Sequence, residues 1–237
     1  MVKISERLRT AAGLIGEGER LADVGTDHGY VPIYLVERKR IPSAIAMDIR
    51  TGPLERAREH IRMYGMEDYI QTRLSDGVAA LKPGEADTIL IAGMGGGLVI
   101  HILESGRVIC EQAHGLVLQP QSELPKVRRF LMENGYVTER EEMVMEDGKY
   151  YPMMRVHFDA SAVSHADSFT EEQELEFRYG KQLLTEKHPV LLAYLRWEVQ
   201  IQQDILTQLS GQPATEQIAA RIDDVKQILA QNARALA

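Results

Sequence analysis

Through its first 134 residues the chain alternates short continuous apolar runs with longer stretches whose apolar residues recur at helical spacing. The apolar runs predict buried strands at 20–25, 43–48, 69–74 and 86–92, and a fifth that ends at Gln119. The helical spacing predicts helices at 4–15, 30–38, 53–64, 97–105 and 122–134; in the first, Ile4, Leu8, Ala11 and Ile15 share one face. Such alternation implies a mostly parallel sheet with helices on both faces. After Gly135 the pattern changes to two strand-like runs, 136–145 and 149–158, around an Asp147-Gly148 turn signal, which predicts a closing β-hairpin.

Residues 159–168 are small and polar and read as a linker. Beyond them Val190, Tyr194, Trp197, Ile201 and Ile205 make one apolar seam, and Ile218, Ile222, Val225 and Leu229 another. These near-heptad intervals predict long antiparallel helices packed as a coiled coil, with Pro189 opening one and Ser210-Gly-Gln-Pro213 separating the pair. The expected division is 1–160 for a catalytic domain and 161–237 for a helical one.

With 237 residues the chain can bury one α/β core and carry an appended element. No apolar stretch reaches membrane-span length, and no signal-peptide core opens the chain, so no membrane partner is expected. Cys110 is the only cysteine, which excludes an internal disulfide or a cysteine metal cluster and suits a reducing cytoplasm. The histidines lack metal-ligand spacing, and no metal is expected. A formal charge of −8 argues against a generally basic nucleic-acid coat but leaves room for a local basic patch. A monomer is expected, with dimerisation of the tail left open.

The chemistry lies at the predicted strand ends. The first turn reads Asp23-Val-Gly25-Thr-Asp27-His28-Gly29-Tyr30. A dinucleotide fingerprint needs a glycine where Asp27 stands, because a carboxylate there repels pyrophosphate and blocks close backbone approach. A donor bearing a sulfonium and an ammonium group has the opposite preference, and S-adenosylmethionine is that donor. The second strand ends in Asp48-Ile49, placed to accept from ribose hydroxyls. The third ends in Asp76-Gly77, where Asp76 is placed to accept from an adenine amine. The fourth runs into Ala92-Gly93-Met94-Gly95-Gly96-Gly97. Each acid alone is also a fitting helix cap. Four consecutive acid- or glycine-bearing strand ends define a ligand row, since open α/β sheets bind ligands there.

The fourth loop narrows the reaction. It lacks the Asn/Asp-Pro-Pro-aromatic run of adenine amino-group methylation, and Cys110 is misplaced for cytosine C5 chemistry. A glycine strip lets a flat base approach closely, and Gly95, Gly96 and Gln119 are the expected base contacts.

The chain resembles the bacterial tRNA (adenine-22-N1)-methyltransferases, the TrmK-like family. The resemblance is carried by Ser5-Glu-Arg-Leu8, by the run from Ala22 through Tyr34, and by Gly52-Pro-Leu54 and Ser75-Asp-Gly77. Ile91-Ala-Gly-Met-Gly-Gly96 and Leu118-Gln-Pro120 complete it, and with the tail it covers nearly the whole chain. Asp48 stands where many relatives carry glutamate, and Gln121 replaces an asparagine common after Gln-Pro. The resemblance implies a class I methyltransferase Rossmann-like sheet with a C-terminal helical coiled-coil domain. It also implies methylation of adenine N1 in tRNA at position 22. Adenine N1 carries an in-plane lone pair, so the enzyme mainly exposes and aligns the base. Asp27 is expected to accept from the base amine or favour its developing charge, His28 to shape the cofactor or base pocket, and Tyr30 to stack on or donate to the base.

RNA contact is expected from Lys3, Arg7 and Arg9, from Lys126, Arg128 and Arg129, and from Arg178, Lys181 and Lys187 on the first tail helix; Arg7 has the alternative of pairing with the cofactor carboxylate. Two other readings stay open from sequence: methylation of another RNA position or a small molecule, and a cofactor-binding interaction module without chemistry.

Overall fold

The computed structural model describes residues 1–164, 166, 168–213 and 215–237. The apolar runs become β1 (Leu21–Val24), β2 (Ala44–Asp48), β3 (Ile70–Leu74), β4 (Thr88–Met94) and β5 (Gly115–Pro120). The closing hairpin is β6 (Tyr136–Glu146) and β7 (Lys149–Phe158). Together they make one seven-stranded sheet in the order β3-β2-β1-β4-β5-β7-β6. β1 lies between β2 and β4, parallel to both, with Asp23 opposite Ala46 on one side and Leu90 on the other. Strand order reverses there, and the strand ends at such a switch point leave a crevice. β7 enters antiparallel beside β5, Leu118 opposite Met154. Its hairpin turn has positive φ at Asp147 (49°) and Gly148 (73°), as a tight two-residue turn between twisted strands requires.

The helices of this unit are α1 (Glu6–Gly13), α2 (Tyr30–Glu37), α3 (Thr51–Met63), α4 (Gly96–Ser105), α5 (Arg107–Gln112) and α6 (Leu124–Glu133). The sheet separates two apolar clusters. Ile89 and Ile91 of β4 belong to one with Val99, Leu103, Leu116 and Leu118. Leu90, between them, belongs to the other with Ile33, Leu35, Ala46 and Val117. This is the period of two along a strand buried on both faces, and each fully buried aliphatic side chain contributes about 1.5–3 kcal/mol. α1 begins at Glu6, later than the spacing suggested, because the Ser5 hydroxyl caps it by accepting from the Leu8 N–H. α5 was not expected; it buries Cys110, whose thiol burial pushes up to about 12, an inert packing group.

The chain divides into two units, Met1–Ser168 and Phe169–Ala237. Residues after β7 stay with the first: Asp159 N–H donates to Gly135 O at 2.8 Å and Ser164 N–H to Met132 O at 3.3 Å. The expected linker 159–168 contains a short 3₁₀ turn, Ala160–Ala162; residues 165 and 167 of it lie outside the described residues.

The second unit holds α7 (Glu171–Tyr179), α8 (Lys181–Thr185), α9 (Pro189–Ser210) and α10 (Glu216–Leu236), and α9 packs against α10. Two expectations are corrected here. Arg178, Lys181 and Lys187 do not share a helix, because Gly180 at φ 96° ends α7 and Lys187 follows α8. The α9 seam is displaced by one residue: Leu191, Leu195 and Glu198 are buried, whereas Trp197 and Ile201 are 50% and 39% exposed. Glu198 is drawn inward because Arg178 Nη2 (3.0 Å), Tyr179 Oη (2.9 Å) and Tyr194 Oη (3.0 Å) all donate to its carboxylate. A fully satisfied buried carboxylate outcompetes an amphipathic indole for the inner position.

Candidate active site

The first turn is shaped by two glycines. Gly25 (φ 77°) turns the chain out of β1, where the Gly25 and Thr26 N–H groups both donate to Met47 O at 2.8 Å. Gly29 (φ 67°) then directs it into α2. A Cβ on Gly25 would come within 2.1 Å of Met94 Cε, so the end of β4 lies over the first turn. Asp23 and Asp48 are both 8% exposed, at the ends of the adjacent strands β1 and β2. Burial pushes the Asp23 carboxyl up to about 6, and the neighbouring Asp48 adds to the rise. Asp48 Oδ1 accepts the Arg50 N–H at 2.8 Å. At the end of β3, Ser75 is buried and binds its own turn, which leaves Asp76 exposed beside Gly77. Ile49 and Leu74, which follow Asp48 and precede Ser75, are 60% and 54% exposed.

Asp27 sits in a network that the sequence did not disclose. Its Oδ1 accepts from both Nε (3.2 Å) and Nη2 of Arg56, and its Oδ2 lies 3.1 Å from His28 Nε2. The hydrogen bond from Arg56 holds the Asp27 carboxyl below the usual range despite partial burial. One turn after Arg56 on α3, His60 Nδ1 lies 3.1 Å from the His28 carbonyl oxygen. That oxygen only accepts, so Nδ1 carries the proton. The rings of His28, Tyr30 and His60 are 5.1–5.2 Å apart, centroid to centroid, and within 24° of parallel. The sequence does not single out Arg56 or His60; only their i, i+4 spacing hints that they act together.

A cavity of about 550 Å³ opens over β1 and β4. Its walls bring together Asp23, Gly25, Asp27, His28, Gly29, Tyr30, Ala92 and Gly93, all expected, with Lys3, Ser5 and Arg7 from the N-terminal segment and Gln121 and Glu146 from the far side. Asp48, Ile49, Asp76 and Gly77 continue the row of strand ends outside that wall. Arg7 points inward: its Nη1 donates to Gln119 Oε1 at 2.8 Å, and its guanidinium lies 5.4 Å from the Tyr151 ring centroid. Gln119 is fully buried with its oxygen committed to Arg7, so it supports the floor.

Besides Gln119, two expected substrate contacts are placed differently. Gly96 is buried at the start of α4, where a Cβ would meet Ser122 O at 2.5 Å, so it is a packing glycine; Gly95 beside it is exposed. Arg128 is buried, with Nε 3.0 Å and Nη2 2.9 Å from Glu141 Oε1, and presents no charge to solvent. It lies on the inner face of an amphipathic helix, where its guanidinium meets a carboxylate from β6. Lys126 stays 64% exposed on the same helix, and Arg129 is half-buried. Among the described residues no His, Cys, Asp or Glu cluster is arranged to hold a metal ion, and no helix is long and apolar enough to cross a membrane.

These residues fit S-adenosylmethionine. A buried carboxylate with a raised pKa suits an ammonium, an acid at the end of β2 suits a ribose, and paired exposed aliphatics suit a purine face. The parallel sheet with its antiparallel β7, and an acid-lined strand-end cleft, define a class I methyltransferase. A methyltransferase domain model matches residues 4–154. The chain is 34% identical over 236 residues to the tRNA (adenine(22)-N(1))-methyltransferase of Bacillus subtilis, covering 96% of this chain and 98% of that one. The solved B. subtilis m1A22 tRNA methyltransferase TrmK superposes with a TM-score of 0.83 at 31% identity over 100% of both chains. A Streptococcus pneumoniae relative solved in complex with S-adenosyl-L-methionine gives 0.83 at 30% identity, over 99% of this chain and 100% of the other. The chain belongs to the tRNA (adenine(22)-N(1))-methyltransferase family.

Proposed function

We propose that this protein transfers the methyl group of S-adenosylmethionine to N1 of adenine 22 in tRNA. The observation that carries the reading is one acid-lined cleft over β1 and β4, with a glycine-floored mouth, in a chain that belongs to this family throughout its length. Bound, the cofactor supplies an electrophilic sulfonium methyl group. Asp23 holds its ammonium, Asp48 its ribose and Asp76 its adenine amine, while Ile49 and Leu74 clasp the purine. Gly25, Gly29 and Gly77 set the backbone that lets them converge, and Ala92, Gly93 and Met94 close the floor.

Adenine N1 needs no base to take its proton, so the residues orient the substrate and support positive charge on the product. Asp27 is the fixed negative charge, kept ionised by Arg56 and oriented by His28. Tyr30, backed by His28 and His60, offers a ring face for the base. Arg7, at the cleft, and Lys126 and Arg129, on α6, supply positive charge toward the RNA backbone. We place the functional boundary where the two units divide, after Ser168 rather than at the expected residue 160. We further place the protein in the cytoplasm, a reading supported by its lone buried cysteine, and take it to act as a monomer.

The test is transfer of labelled methyl groups from the cofactor to unmodified tRNA, with the labelled nucleotide mapped. Label at N1 of adenine 22 is the expected result. Label elsewhere, or in small molecules only, overturns the assignment.

A further inference from the structure

The residue after Pro120 occupies a position that no role above accounts for. Gln121 lines the cleft, and its backbone N–H donates to Met94 O at 2.8 Å, which pins it to the end of β4. Its side chain reaches toward the glycine floor: a Cβ built on Gly93 would lie 3.8 Å from Gln121 Nε2 and 3.9 Å from Arg7 Nη1. Gly93 adopts φ 79° and is exposed, so the space above it is open to a flat group. Among the described residues the Gln121 amide makes no hydrogen bond within the protein. Gln119, two residues earlier, is fully buried and does not line the cleft; its Oε1 accepts from Arg7, while its Nε2 has no partner among the described residues. Asp27 has both carboxylate oxygens engaged, by Arg56 and His28.

Methylation at N1 imposes a geometric demand on base recognition. A reader that bonds N1, as base pairing does, blocks the atom that must react. An amide satisfies the N6–N7 edge instead, its oxygen accepting from the N6 amine and its nitrogen donating to N7. That arrangement leaves the N1 lone pair open and distinguishes adenine from guanine, which presents two acceptors on that edge. We propose that Gln121 is the specificity-determining residue, reading the N6–N7 edge of the target adenine over Gly93 and turning N1 toward the methyl donor.

The inference rests on the adenine-N1 reading above, and the experiment separates the two. Full-length protein is assayed on tRNA transcripts that carry adenine or 7-deazaadenine at the target position. Removing N7 also changes the basicity of N1, so the comparison is the 7-deaza effect on kcat/KM in wild type against that in each variant. Gln121→Ala is expected to lose about 10- to 100-fold on adenine, the scale of one bidentate base contact, and to show no additional N7-dependent loss. Gln121→Glu keeps the shape and the acceptor but lacks the donor, so it is expected to lose activity on adenine by at least the factor that 7-deazaadenine costs wild type, and to lose the N7 dependence. Calorimetric binding of S-adenosylhomocysteine identifies variants that remain folded.

The same 7-deaza effect in wild type and both variants, or full activity of Gln121→Ala on adenine, overturns the role of Gln121 while leaving the methylation reading intact. A wild-type protein that labels no adenine overturns the earlier reading as well.

Discussion

Arg56 of α3 grips the carboxylate of Asp27 at the mouth of the cleft, with Nε and Nη2 both on Oδ1. The pair spans two βα units, so the charge of the first turn is positioned by a helix that follows β2. It also keeps the acid ionised at the place proposed for the base and its methylated cation.

Replacing Asp27 by alanine is expected to lower methyl transfer to tRNA by about 100-fold or more, the scale for removing one fixed charge-stabilising group, while cofactor affinity stays near wild type. Wild-type turnover in the variant would remove Asp27 from the proposed roles. Arg56 bears on pH. A carboxyl held below its usual range stabilises the fold above that range, and the benefit is lost as pH falls through the lowered value. Arg56→Ala should therefore raise the Asp27 titration toward the ordinary carboxylate range, which NMR of the Asp27 carboxyl carbon measures directly.

Asp23 has the opposite sign. Its carboxyl is pushed up to about 6 in the folded protein, against about 3.9 in an unfolded chain. Between these values the folded state holds the proton more tightly, so the Asp23 contribution to stability is greatest below about pH 4, declines as pH rises and levels off above about 6. Asp23→Asn should abolish that decline, read as the difference between the two proteins' unfolding free energies across the interval. Parallel pH curves would show that Asp23 does not titrate this way. Cofactor uptake near pH 5.5 should also release protons, seen as buffer-dependent binding heats.

On α6 two of the three basic residues expected to serve RNA should part company. Glu141→Ala leaves the buried Arg128 without the carboxylate it meets at 2.9 Å and should cost about 3 kcal/mol or more in chemical denaturation. Lys126→Glu should change stability by no more than about 0.5 kcal/mol and reduce the salt dependence of tRNA binding by about one unit of slope. If Lys126→Glu binds with an unchanged slope, α6 does not face the phosphates.

The glycine loop after β4 should prove graded. Gly96→Ala drives a methyl group to 2.5 Å from the Ser122 carbonyl oxygen, a backbone atom that cannot rotate away, and should cost about 1–3 kcal/mol as overpacking. At Gly95 the nearest atom is the Ser122 hydroxyl at 3.3 Å, which has room to give, so Gly95→Ala should unfold close to wild type. Denaturant midpoints of the two variants decide the order.

How far the site was legible follows from what each residue responds to. Asp23, Asp48 and Asp76 end strands in a repeating pattern, and strand ends converge in any open parallel sheet; their position along the chain therefore announced their position in space. Arg56 and His60, which hold the cleft residues Asp27 and His28, and Glu146, which lines the cleft, carry no such signal, because each arrives only after a crossover or hairpin has placed its element. Arg128 was misread for a related reason. A basic residue on a helix reads as solvated unless a buried acid elsewhere receives it, and Glu141 lies on a different element.

The alternation of periods, the acid-bearing strand ends and the substitution of Asp27 for a fingerprint glycine were determined by the sequence alone, because they depend on local spacing and on the charge of the ligand. The tertiary structure decided which side chains share a wall: Asp27 with Arg56, Arg7 with Gln119, Glu198 in place of Trp197. Those pairings turn on hydrogen-bond satisfaction between residues distant in the chain. Burial makes such satisfaction obligatory, and only the folded packing shows who supplies it.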